Sequence, residues 1–294
     1  MAYSVHNSVR RRVAQLERSI SHQLLTPGHD GIKLTAHGLR VMAMAKKMED
    51  NAFDLLASTG MAPLGQVETV RFATHDALGP LWIAPRLAEY QERSSEVLVE
   101  LISTFQSSDV LKLDADVMLQ VGRPPPAEFK SLRLGRIHSV PTVGSKFLAN
   151  RKMPRNLAEL KGQKLVLLDR PLSLQMFSRT FPGIAQEEIV ALRTNNPMVQ
   201  LMSVLSGAGF AWIPTYIHAV VPGLHVVPIE GVFSTDIWLA RSAASEGLAR
   251  VTNLWNWIAE SFSHARAPWF RDDYIAPDLF PDANEIGELG AAAR

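Results

Sequence analysis

Three consecutive arginines, Arg10, Arg11 and Arg12, stand just after His6, Asn7 and Ser8. Guanidinium groups suit phosphate oxygens, and His, Asn and Ser side chains suit base edges, so the chemistry offered at this end of the chain is nucleic-acid recognition. Elsewhere reactive groups are scarce. The absence of cysteine removes thiol nucleophiles, disulfides and Cys-ligated zinc or iron–sulfur centres. No His-Glu-x-x-His or Gly-x-Ser-x-Gly pattern occurs. Gly207-Ala-Gly209 follows a helical pattern and precedes a strand-like one, the reverse of a dinucleotide fingerprint, and reads as a helix end with a tight turn. Asp114-Ala-Asp116 lies at a helix-to-strand junction and reads as cap and edge rather than as metal ligands. Nothing in these patterns supports catalysis, a cofactor or a metal site.

The arginines need an element to hold them. Val5, Val9, Val13, Leu16 and Ile20 recur at steps of three and four, one face of an amphipathic helix. At about 100° per residue the three arginines span about 200° of arc, so they cannot all face one groove. Arg10 and Arg11 are assigned to DNA, with Arg12 left to pair with Glu17 or to lie on the backbone. His6, Asn7 and Ser8 sit at the end that recognition helices insert. A break at Thr26-Pro-Gly-His-Asp-Gly31 leads to an extended Ile32-Lys-Leu34. A second helix, capped by Thr35, then runs through Leu39, Met42, Met48 and Leu56. Residues 1–47 carry a net charge of +6 and the remaining 247 carry −5, a polyanion-binding head on an acidic body.

At 294 residues, 47% apolar and 20% charged, the chain has material for about two globular domains. Beyond Gly60-Met-Ala-Pro-Leu-Gly65 strand and helix patterns alternate. Thr69–His75 is followed by a helix over Leu78–Glu92, then Val97–Ser103, a helical Asp109–Leu113 and Ala115–Val121. A second set comprises Lys164–Leu168, Glu188–Leu192, the helix Met198–Leu205, Phe210–Ile213, Thr235–Ala240 and a closing helix over Leu248–Phe262. Such alternation predicts mostly parallel sheets flanked by helices, with ligands beyond the carboxyl ends of the strands. Pro197–Ile229 lacks charge, but Gly207, Gly209, Pro214, Pro222 and Gly223 break it well short of the ~20 residues of a membrane span. With no signal-peptide pattern and no cysteine, the expected location is the cytoplasm.

Ser8-Val-Arg-Arg-Arg-Val-Ala-Gln-Leu-Glu17 resembles the recognition-helix run of LysR-type transcriptional regulators. Gly31-Ile-Lys-Leu-Thr-Ala-His-Gly38 resembles that family's wing and the start of its linker helix, at the family's spacing. The body resembles the same family's effector domain through Leu81-Trp-Ile-Ala-Pro-Arg-Leu87, Asn156-Leu-Ala-Glu-Leu160, Ser206-Gly-Ala-Gly-Phe-Ala-Trp-Ile-Pro214 and Pro268-Trp-Phe-Arg-Asp-Asp273. The resemblance implies an α/β chain with a partial winged helix-turn-helix (1–34), a linker helix (35–58) and a two-lobed, periplasmic-binding-protein-like (type 2) effector domain (66–274). Lobe I is expected over about 66–138 and 243–274 and lobe II over 139–242, with crossings near His138 and Ser242 and a frayed tail over 275–294. In this family two helices precede the recognition helix, and here the sequence opens almost on the recognition helix. The expectation is a head truncated at its N-terminus, through either a start codon placed late or a disabled head.

The resemblance also implies sites. On DNA it places His6, Asn7, Ser8, Arg10, Arg11 and Arg12, with His29 and Lys33 from the wing. In the effector cleft it places Thr74, His75 and Asp76 after the first strand of the body, and Ser103 and Thr104 after the second. From the other lobe come Ser173, Gln175, Asn195, Asn196 and Pro214. These polar groups with helix-start amides suit a small anion or carboxylate, while Thr74, Asp76 and Asn196 read equally as helix caps. The expected protein is a non-enzymatic regulator that binds double-stranded promoter DNA as a homo-dimer or homo-tetramer and responds to a small-molecule effector, without cofactor or metal. The alternative is a cytoplasmic small-molecule-binding protein derived from such a regulator that has lost DNA binding.

Overall fold

A computed structural model of the chain describes residues 2–28, 31–42, 44–45, 48, 52, 68–75, 77–104, 115–242, 245 and 247–280. These fall into two units, residues 1–66 and 67–294.

In the first unit the seam predicted from Val5 to Ile20 folds as helix α1, Ala2–Ile20. Ser21 then turns the chain at φ 57°, and strands β1 (Leu25–Gly28) and β2 (Gly31–Leu34) pair antiparallel as a hairpin. Glu17 fastens α1 to this hairpin, its carboxylate accepting from the backbone amides of Leu24 at 2.7 Å and Leu25 at 3.2 Å. Glu17 is therefore engaged away from Arg12. Thr35 caps the next helix, α2 (36–42), its hydroxyl oxygen accepting from Gly38 N at 2.9 Å while the hydroxyl donates to Gln23 O. Only glycine fits at 38, where a Cβ would collide with the carbonyl oxygen of Leu24. Along α1, Val13 and Ile20 are half-buried, whereas Val9 and Leu16 remain 53% and 42% exposed.

The second unit begins with β3 (Glu68–His75), which pairs parallel with β4 (Val97–Thr104) and β5 (Val117–Val121). Between β3 and β4 the predicted helix 78–92 is in fact a π-helical turn, Gly79–Ile83, leading into α3, Ala84–Arg93. In this turn Ala84 N reaches Gly79 O, five residues back, and Pro85 stands in the first turn of α3, where its missing N–H costs no helix bond. The expected helix Asp109–Leu113 lies outside the described residues.

Strand β6 (Phe129–Gly144) was not foreseen beyond the crossing near His138, because Arg133, Gly135, Arg136 and Pro141 interrupt any alternation. It is 16 residues long and belongs to both lobes. Its first half pairs with the later half of β11 (Phe233–Ser242), and its second half pairs with β9 (Ala211–Pro214) and β10 (Leu224–Val226). The second lobe is completed by β7 (Leu165–Leu168), α4 (Pro171–Thr180), β8 (Val190–Thr194) and α5 (Pro197–Leu205). β7 pairs parallel with β8 and is bridged to the β9 side through Leu165 and Phe210. The expected strand Glu188–Leu192 starts later, since Gln186–Ile189 forms a helical turn closed by the Glu188 carboxylate on Ala185 N.

β11 then returns to the first lobe, where Ile237–Arg241 pair with β5. The second crossing, expected near Ser242, therefore falls about Ile237, at a register shift between Ile237 and Trp238 that opposes Gly135 and Arg133 and skips Leu134. Helix α6 (Ala249–Ser261) closes the first lobe. Sheet order is thus β4-β3-β5-β11-β6 in one lobe and β8-β7, then β9-β6-β10, in the other.

The segment after α6 crosses β6. Phe270 is fully buried in an aromatic cluster with Trp82, Phe262, Trp269 and Tyr216. Its carbonyl oxygen lies where a Cβ on Gly135 would stand, and Gly135 has φ 148°. His138 is buried between Ser234 Oγ (2.8 Å) and the Arg271 carbonyl (2.9 Å). Arg133 donates to both Asp236 and Asp272, and Arg136 donates to Asp236 at 3.0 Å. Among the described residues no helix is long and apolar enough to cross a membrane.

Candidate functional site

Strands β3, β5, β7, β8 and β9 end on one side of the crossing, and there they enclose a cavity of about 630 Å³ between the lobes. The walls are largely apolar: Leu78 and Val121 from the first lobe, Leu165, Leu167, Met176, Trp212 and Ile213 from the second, and Ile137 from the crossing strand. Polar groups converge on this surface, some from strand ends and helix starts, where backbone donors are unspent, and others from within the crossing strands and α5. They are His75, Ser139, Arg170, Ser173, Asn195, Gln200 and Thr235. The size and the ratio of apolar wall to a few polar groups are those of a small-molecule site.

His75 closes β3 and is buried. Arg170, the residue before Pro171 opens α4, donates from Nη1 to His75 Nε2. Burial, and secondarily the Arg170 charge, push the His75 imidazole down to about 3. The histidine is therefore neutral at physiological pH. Next to it, Asp169 accepts from Arg193 at 3.0 Å. Gln200 is buried and donates to Val166 O at 3.0 Å. Among the described residues the chemistry is that of recognition: the Arg170 guanidinium and the Asp169 carboxylate, helix-start amides and an apolar wall.

Of the residues expected here, the structure brings His75, Ser173, Asn195 and Pro214 to the cavity. It does not bring Thr74, Ser103, Thr104, Gln175 or Asn196. Thr74 is fully buried, and with Ser103 it forms the seat of the π-helical turn at Gly79. Thr104 ends β4 half-buried and away from the cavity, and Gln175 is on the exposed side of α4. Asn196 caps α5, its side-chain oxygen accepting from Met198 N at 2.8 Å and Val199 N at 3.3 Å. Asp76 lies outside the described residues. The residues that sequence reasoning missed are Arg170, Gln200, Trp212, Ser139 and Thr235. Arg170 had a signal, the Arg-Pro step after a predicted strand, which marks a helix start; Ser139 and Thr235 sit on crossing strands whose paths were not read.

At the other end of the chain Arg10, Arg11 and Arg12 are exposed on α1, and Lys33 is exposed on β2. His6, Asn7 and Ser8 fall within α1, with side chains outside the described structure, and His29 lies outside the described residues.

Residues 65–263 match the family model described as the LysR substrate binding domain. The chain belongs to the family of LysR-type transcriptional regulators. Among its LysR relatives is the Mau operon transcriptional activator of Paracoccus denitrificans, 24% identical over 271 residues and 88% of each chain. Another is the iron-regulated virulence regulatory protein IrgB of Vibrio cholerae, 23% identical over 71% of each. Solved structures share the fold. CrgA, a LysR-type regulator from Neisseria meningitidis, aligns over 87% of this chain and 90% of its own at 16% identity and a TM-score of 0.58. A full-length variant of OxyR from Pseudomonas aeruginosa aligns over 87% and 85% at 15% identity and a TM-score of 0.60. The body of this LysR chain thus has the two-lobed, type 2 periplasmic-binding-protein-like fold that the sequence predicted.

Proposed function

We propose that this LysR-family chain binds promoter DNA as a homo-oligomer in the cytoplasm and responds to a small molecule held between the lobes of residues 67–280. The observation that carries the reading is the 630 Å³ cavity, apolar-walled with convergent polar groups at strand ends, in a chain of a regulator family. His75, Ser173, Asn195 and Pro214 are its effector-contacting residues, joined by Arg170. A ligand shifts the arrangement of lobes or subunits only through its differential affinity for the alternatives, and a cavity built from both lobes supplies that difference.

On DNA, α1 supplies Arg10 and Arg11 to phosphates, and His6, Asn7 and Ser8 to base edges, with Lys33 on the flanking backbone. Fluorescence anisotropy with DNA from upstream of its own gene tests this. Affinity should fall with salt at a slope of roughly 0.9 per phosphate contact, so Arg10→Gln with Arg11→Gln should reduce the slope by about 2. Equal affinity for that DNA and for random duplex sinks the regulator reading and leaves the chain a small-molecule-binding protein.

A further inference from the structure

The second lobe carries a further hollow, an open groove of about 610 Å³ that shares no lining residue with the cavity between the lobes. Its walls come from the start of the short helix Leu157–Lys161, the end of α4 and the loop from β10 into β11. That loop is pinned, because Val227 N donates to Pro141 O at 2.8 Å and the Trp212 indole donates to Gly231 O at 3.1 Å. Trp212 also lines the cavity, and its ring packs on Phe233 of the groove, so it stands between the two hollows. A groove formed in advance spares a ligand part of the ordering cost of binding.

Two guanidiniums line this groove from separate elements, Arg155 ahead of the short helix and Arg179 near the end of α4, and both are exposed. Among the described residues neither side chain has a carboxylate or hydrogen-bond partner; Arg155 is engaged only through its backbone N, which donates to Glu159. Arg155 also belongs to residues 145–164, where six Lys and Arg stand against Glu159 alone for a net +5, within a body whose total is negative. Such a local field draws anions in. It outweighs the two opposing features, the Glu230 carboxylate in the groove and the carbonyl end of α4, which amounts to about half a charge.

Two unmatched forks ask for more than one negative charge. A monocarboxylate would engage one guanidinium and leave the other in water. A phosphate monoester carries about −1.5 to −2 at pH 7 and has three accepting oxygens, enough for both forks and for the neighbouring Thr180 hydroxyl. The rest of the groove is apolar, with Pro228 and the half-buried Ile229 and Phe233, a surface that suits a flat ring. Glu230 can accept a hydroxyl or amino group from the ligand's body.

We propose that this groove is a second binding site, for a ring-bearing phosphate monoester whose phosphate lies between Arg155 and Arg179 and whose ring lies on Ile229 and Phe233.

Calorimetric titration of the full chain tests this with adenosine monophosphate and phenyl phosphate, and with adenosine, inorganic phosphate and glucose 6-phosphate as contrasts. At least one ring-bearing phosphate should bind roughly tenfold or more tightly than every contrast, and the two arms show whether the body is a nucleoside or a bare ring. Arg155→Gln and Arg179→Gln should each weaken it by roughly 3–10-fold, a charge-assisted contact discounted for exposure. Both side chains point to solvent, so the variants should keep the Tm of the parent. Ser173→Trp, which alters the cavity between the lobes, should leave the affinity unchanged. Phosphate binding that Ser173→Trp abolishes and the two arginine variants spare puts the ligand in the cavity and overturns the proposal. Equal affinity for adenosine and its monophosphate, or for glucose 6-phosphate and the ring-bearing phosphates, overturns the ligand class. Failure of both ring-bearing phosphates at millimolar concentration overturns the site as proposed, and a loss of affinity for random duplex DNA in the double arginine variant would then make the groove a contact for nucleic-acid backbone.

Discussion

Gly135 and Asn196 show how much can depend on one residue's backbone. Gly135 has φ 148° and its missing Cβ is where the Phe270 carbonyl stands. Gly135→Ala combines backbone strain with overpacking and should destabilise by about 2–4 kcal/mol in urea denaturation. Asn196→Ala removes the acceptor for Met198 N and Val199 N and should cost about 1 kcal/mol, a fall in Tm of about 2–4 °C. It should leave ligand affinity unchanged, since Asn196 caps and Asn195 lines the cavity. His75 gives a prediction in pH. Its folded value of about 3 against 6.5 free means that the unfolded chain binds the extra proton between those limits. His218, pushed down to about 4 chiefly by burial and then by His225, behaves alike. Stability is therefore full above about pH 6.5 and declines as pH falls, by about 1.4 kcal/mol per pH unit for each histidine. Asp236 and Asp272, which Arg133 holds below the usual carboxylate range, lose their share only at still lower pH, so the slope between pH 6.5 and 5 reports the imidazoles. A flat urea midpoint over that interval, or one that His75→Gln leaves equally steep, contradicts this account.

Elements were legible where local pattern decides them and opaque where distant pairing does. α1, the Thr35 cap, β3, β4 and α5 are readable because each carries a local apolar pattern or spends one capping side chain. β6 is not, because its 16 residues change partners midway, and each half obeys a different neighbour. The site followed the same division. Residues at strand ends were found as a class, but whether Thr74 or His75 faces the cavity is set by the phase of β3, and Thr74 turned to the π-helical seat instead. Arg170 was missed because its importance comes from His75, 95 residues earlier. The 3-10 turn Pro268–Phe270 is the element whose weight the sequence least suggests. Phe270 touches rings from the residue that ends α6, Phe262, from the π-helical turn and from the second lobe's Tyr216. Phe270→Ala should cost about 3–5 kcal/mol, measured by chemical denaturation. A loss below about 1 kcal/mol would mean that the segment merely rests on the lobes.

At the scale of the second unit, two strands thread both lobes and one hydrophobic cluster contains residues of each, among them Trp82, Ile213, Tyr216 and Phe270. Such sharing predicts that the lobes melt together, since neither can open without exposing the other's core. Calorimetry should show one transition for both lobes, shifted as a whole by Phe270→Ala; two lobe transitions that move independently would contradict it. The late return of β11 also orders events on the ribosome. β5 has β3 on one side but lacks its other neighbour until Ile237–Arg241 emerge, and the Trp238 indole that donates to the Gly122 carbonyl is 116 residues downstream of it. At typical elongation rates that interval is roughly 6–23 s. β7 to β10, translated entirely within the wait, can assemble around Phe210 and Trp212 first. The lobe encoded first is thus completed last, and its exposed β5 edge during synthesis is where a nascent chain of this regulator is most open to chaperones and to mispairing.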